Sequence, residues 1–109
     1  MANPWAKFDV GGTFKLWTSG VALNAIVKSS VTVDVPSINS GACLAQTFTV
    51  ANAAVWGSVV ISPASALTDR MIIAYARVSA AGTVEAKFCN ESAAAINLAS
   101  MQYHITVIQ

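Results

Sequence analysis

At 109 residues the chain makes one domain, with a core but with only about two thirds of its unfolded surface able to leave water on folding. Hydrophobic residues make up 55% and charged residues 10%, against a usual charged share of about 25%, so apolar surface must stay outside and self-association or a place in a larger assembly is expected. The net charge is +1, and Lys7, Lys15, Lys28, Arg70, Arg77 and Lys87 are scattered without a basic run, which argues against nucleic acid as a partner.

In chain order, Met1-Ala2-Asn3-Pro4-Trp5-Ala6-Lys7 lacks the basic-then-apolar order of a secretory signal. The longest apolar runs, such as Val59-Val60-Ile61 and residues 71–76, fall far short of the ~18 residues of a spanning helix, so no membrane is expected and the chain is read as made in a cytoplasm. Residues 1–17 hold Trp5, Phe8, Phe14 and Trp17, four of the nine aromatics, interrupted by Asn3-Pro4 and Gly11-Gly12. Gly11-Gly12-Thr13-Phe14-Lys15 lacks the spacing of a phosphate loop. Residues 13–18 read as a strand, turned by Ser19-Gly20 into 21–28, where Val21, Leu23, Ala25 and Val27 share a face.

Residues 30–35 alternate until Pro36, which cannot donate to a ladder. A turn cluster at 37–41 leads to a strand over 44–50, then a short strand over 57–62 stopped by Pro63. Residues 64–70 read as a loop or a single helical turn. Residues 71–79 and 83–90, joined through Ala80-Ala81-Gly82, read as a hairpin around which the rest is arranged. Its buried faces are assigned to Ile72, Ala74, Ala76 and Val78 and to Val84, Ala86 and Phe88. Residues 91–100 are alanine-rich with room for a short helical turn, and 102–108 form the last strand, with Tyr103, Ile105 and Val107 inward. Short strands between turn signals, with no long amphipathic helix, predict an all-β two-sheet sandwich of jelly-roll type, although the same count could close a barrel.

The sequence carries no catalytic or metal-ligating motif. His104 is the single histidine and is read as a solvated or interface group; no nucleophile elbow accompanies it. Asp9, Asp34, Asp69, Glu85 and Glu91 never pair closely, so neither a glycosidase dyad nor a calcium loop is suggested. Cys43 and Cys89 have no zinc spacing and, in a cytoplasm, are expected as free thiols. Asn90-Glu91-Ser92 fits a glycosylation sequon but reads better as a polar turn. No enzyme activity, metal or cofactor is expected.

One resemblance goes beyond residue chemistry. Val33-Asp34-Val35-Pro36-Ser37-Ile38, Ala42-Cys43, the strand to Val50, Val59-Val60-Ile61-Ser62-Pro63, residues 76–84, Phe88-Cys89-Asn90, Ala95-Ile96 and Ile105-Thr106-Val107-Ile108 together resemble a small β-sandwich virion domain of tailed bacteriophages. That domain occurs at fibre tips and as short capsid cement or decoration proteins, and the resemblance covers about residues 31–109. Trp56-Gly57 departs from the Gly-Asp more usual in the group, and the first thirty residues have no counterpart.

The resemblance implies a virion structural protein without an active site, assembled in the host cytoplasm and forming a homotrimer. Residues 1–30 are then an N-terminal arm or hairpin and 31–109 the sandwich. Two roles follow: a decoration protein on the capsid surface, bound to the major capsid protein, or a fibre or spike tip that binds host-surface glycan. A start at Met1 and the lack of heptads favour the first, with Trp5, Phe8, Phe14 and Trp17 as capsid-docking anchors. Trp56 and Tyr75 are the expected oligomer contacts.

Overall fold

Period-two burial runs through the strands of the computed structural model, which describes residues 11–13, 15 and 18–109. Among these residues the elements are β1 (Ile26–Val33), β2 (Cys43–Thr49), β3 (Ser58–Pro63), β4 (Met71–Ala80), β5 (Thr83–Asn90) and β6 (Met101–Ile108), with no helix. They form two three-stranded antiparallel sheets, ordered β1-β6-β3 and β2-β5-β4, in a small β-sandwich.

The core lies between the sheets. Tyr103 of β6 stands edge-on to Phe48 of β2 and Phe88 of β5, with ring centroids 5.3 and 5.8 Å away, so one side chain from the first sheet is gripped by two from the second. Such edge-to-face pairs add about 0.5–1.5 kcal/mol each beyond the burial of their area. Val84, Ala86, Ile105 and Val107 complete the centre. Val78 is buried as expected and Ala76 is partly buried.

Two residues assigned to the core are instead outside. Ile72 is exposed and so is Ala74, because β4 bulges between Ile73 and Tyr75: Ile73 faces Phe88, Tyr75 faces Lys87, and Ala74 has no partner. An extra residue on one strand reverses its phase. Met71 and Ile73 therefore point inward before the bulge, and Ala76 and Val78 after it. A second shift at Ser79 leads into the turn, where Gly82 adopts φ +77°, a conformation glycine takes without a Cβ penalty. Its N–H donates to Ala53 O while its carbonyl accepts from Val50, tying the hairpin tip to the loop after β2.

The N-terminal half departs from expectation at its edges. Residues 26–33 form one strand where two were read, since Ser29 takes an inward position opposite Ile105 without breaking the ladder. The strand thus runs across residues 30 and 31, and Ala25 continues the pairing by exchanging backbone hydrogen bonds with Gln109. The expected strand over 13–18 lies largely outside the described residues. Residues 64–70 form a loop, one of the two forms expected, and 91–100 holds no helical turn but is fixed by the bridge of Ile96 to Ile38.

The cysteines also differ from expectation: Cys43 and Cys89 form a disulfide. Strand pairing sets them opposite each other on β2 and β5 with Cα atoms 4.1 Å apart, near the ~4.5 Å of a non-hydrogen-bonded antiparallel pair, where side chains approach most closely. Beside them Asn90 is fully buried and fully used. Its Nδ2 donates to Ile38 O and Ala94 O, and its Oδ1 accepts from the Ser92 N–H and hydroxyl. The sequon is therefore spent on folding the turn, with both amide hydrogens engaged inside the protein.

Candidate interaction surface

The pairing of β1, β6 and β3 decides which side chains share the outer face of their sheet. Ile26 lies opposite Ile108, and Val60 of β3 is diagonal to Ile108 on the same face; they are 59%, 38% and 57% exposed. Cross-strand neighbours at this spacing make a continuous apolar surface.

A second exposed apolar group lies in the loop between β2 and β3, which is anchored to the end of β6. The Ala54 N–H donates to Gln109 Oε1 at 2.7 Å, and Gln109 Nε2 donates to Asn52 O at 2.8 Å. Gly57 closes the loop against the sheet, since a Cβ there would stand 2.5 Å from Val107 Cγ1. The segment between them is thus held at both ends, and it presents Val55 and Trp56 to solvent, Trp56 at 71% exposure. Trp56-Gly57 has a physical reason: the glycine lets the backbone approach Val107 and the tryptophan remains outside.

One step along the same face the chemistry turns polar. Lys28 pairs with Thr106 and Ser30 with His104, and these rows line a shallow recess of about 270 Å³. Ser30 Oγ and His104 Nδ1 are 2.9 Å apart and hydrogen-bonded, joining residues 74 apart in sequence. This is the serine beside the histidine that no local motif announced. Both are exposed, and no described carboxylate hydrogen-bonds the other ring nitrogen to orient it as in a catalytic triad. Among the described residues no three of His, Cys, Asp and Glu gather to hold a metal.

The outer face of β2-β5-β4 is built differently. Arg77 Nε donates to Glu85 Oε2 at 2.9 Å and the Tyr75 hydroxyl donates to the same oxygen at 3.1 Å. The Arg77 hydrogen bond, then that of Tyr75, holds the Glu85 carboxyl below its ordinary pKa, and the Glu85 hydrogen bond raises that of Arg77.

Of the residues singled out from sequence, Trp56 lies in the loop before β3 and Tyr75 on the outer face of β4, both exposed and on different elements. Trp5, Phe8, Phe14 and Trp17 lie outside the described residues. Sequence reasoning missed Lys28, Ser30 and Thr106 as neighbours of His104. Their alternation was visible, but the register joining β1 to β6 was not. No family model, curated protein or solved structure matches the chain.

Proposed function

We propose that this chain is a structural protein of a tailed-bacteriophage virion: a cement or decoration protein on the outside of the icosahedral head, a jelly-roll-like homotrimer and not an enzyme. The observation that carries this reading is the strand order. β1 pairs with β6 and β2 with β5, as in one long hairpin, and β3 and β4 then take the free sides of β6 and β5. Every connection but the β4–β5 turn passes from one sheet to the other. A hairpin rolled in this way is the scheme of a jelly roll, an architecture used by viral capsid domains. The motif order described above supports the same reading.

Surface chemistry adds to it. A protein that bridges neighbouring capsid subunits needs apolar area for permanent contact, and Ile26, Ile108, Val60 and Trp56 supply it in a chain poor in charge. A cyclic trimer is a head-to-tail ring and requires two different patches on each copy. Trp56 and Tyr75, on different elements, fit that requirement. The disulfide suits a protein that works outside the reducing cytoplasm, as a released virion does.

In this reading the segment bearing Trp5, Phe8, Phe14 and Trp17 docks on the major capsid protein. Deleting residues 1–12, which removes Trp5 and Phe8, and mixing the truncated protein with undecorated heads should weaken decoration; full retention of binding would remove the segment from the reading. Specific binding of the intact protein to bacterial cells or their glycans, with none to heads, would favour a fibre tip instead. Light scattering at micromolar concentration should give three times the monomer mass, and a stable monomer would refute the trimer.

A further inference from the structure

We infer that the recess between β1 and β6 is a binding site for the carboxylate of an acidic side chain on a protein partner. Its outer wall is made of donors: the Lys28 ammonium, the Ser30 and Thr106 hydroxyls and the His104 ring. No acid lines it, and Lys28 forms no ion pair with any described residue. A lysine with hydroxyl and imidazole donors around it is matched by an oxyanion, which accepts charge-assisted hydrogen bonds from several sides.

The Ser30–His104 bond strengthens the match. If the hydroxyl donates to Nδ1, a neutral ring carries its proton on Nε2 and offers a donor there; if Nδ1 donates, the serine hydrogen is free to turn to the ligand. Either arrangement leaves a donor for an anion.

Size and surroundings select the kind of anion. At about 270 Å³ the shallow recess has room for one side chain or a single small unit. On the same face Val60 stands exposed directly opposite Thr106, and Ile26 and Ile108 stand exposed one row away. A protein segment with an acid next to apolar residues would cover both regions at once. A polysaccharide carboxylate would use the recess alone. The site does not depend on where the aromatic segment docks, so loss of one leaves the other standing.

The test is a titration of the intact, isotope-labelled protein followed by amide and imidazole NMR shifts. The probes are a capped pentapeptide with one aspartate among leucines, the same peptide with asparagine, and glucuronate. The aspartate peptide should shift Lys28, Ser30, His104 and Thr106 saturably and bind several-fold more tightly than the other two. Lys28→Gln should weaken it about fivefold, the scale of one exposed ion pair, with His104→Gln as an independent variant. Equal binding of the aspartate and asparagine peptides would overturn the inference, as would shifts away from the recess. Glucuronate binding as tightly as the aspartate peptide would overturn the assignment to a protein partner.

Discussion

The two sheets spend their side chains in opposite ways. In β2-β5-β4 the cysteines are bonded to each other, Asn90 fills all its hydrogen bonds with the turns beside it, and Arg77 and Tyr75 converge on Glu85. In β1-β6-β3 the ladder and the shared core supply the cohesion, while Ile26, Ile108 and Val60 face solvent and Lys28 has no described ion partner. The β2-β5-β4 sheet engages more of its polar side chains internally, while still exposing Ile72 and Tyr75. The β1-β6-β3 sheet gathers Ile26, Ile108 and Val60 beside the donors Lys28, Ser30 and His104 on one face.

The strongest way to break this contrast is to remove the covalent link. Closing a loop across a separation of 46 residues restricts the unfolded chain by about 4 kcal/mol in the chain-entropy account. Cys43→Ala with Cys89→Ala should therefore lower the unfolding free energy from urea titration by that order, and hydrogen exchange should quicken more in β2 and β5 than in β1 and β6. Equal loss of protection in all four strands would mean that the sheets are not held separately. Next in size is Asn90→Ala, which leaves the buried Ile38 carbonyl without its side-chain donor and frees the 91–96 turn; a loss of about 2–3 kcal/mol is expected in the same assay. A loss below about 0.5 kcal/mol would show that water replaces the amide without cost.

A smaller change tests the contact between the sheets. The Tyr103 hydroxyl is buried with no hydrogen-bond partner among the described residues. Burial first, then the charge of Asp34, pushes its pKa up. Because the folded protein holds this proton more tightly than the unfolded chain, the stabilising term is complete below about pH 10, the unfolded tyrosine value, and is lost as pH rises through the folded value. Tyr103→Phe should be neutral or stabilising by up to about 1 kcal/mol at pH 7 and should flatten the decline of the urea midpoint above pH 10. An unchanged alkaline decline would assign it to other groups.

What could be read from sequence follows the same division. Period-two patterns located β4, β5 and β6 and the inward set Val84, Ala86, Phe88, Tyr103, Ile105 and Val107, because side-chain alternation is a local property. The bulge at Ala74 escaped detection: alanine fits either face, and only pairing with β5 reveals the extra residue. Register between strands far apart in the chain was likewise unreadable, and both Cys43 opposite Cys89 and Ser30 opposite His104 depend on it. The exposed Trp56 was legible as a contact candidate from residue type; the loop geometry that presents it was not.

The smallest expected effect lies on the outer face of the β2-β5-β4 sheet. Glu85 receives hydrogen bonds from Arg77 and Tyr75, and although its own side chain is partly covered, the Arg77 side of the pair is open to water and salt, which screen it. Its folded pKa is lowered, so the stabilising term is present above the unfolded carboxylate value and lost as pH falls through the folded one. Glu85→Gln should lower the urea midpoint slightly at pH 7 in low salt, and the difference should vanish in half-molar salt, ~0.5 M, where the Debye length is only a few ångströms. It should vanish as well once acid has protonated the carboxyl in both states. A large, salt-insensitive loss would mean that Glu85 works through packing or through the hydrogen bond of Tyr75 rather than through its charge, and Tyr75→Phe in the same assay would separate those two.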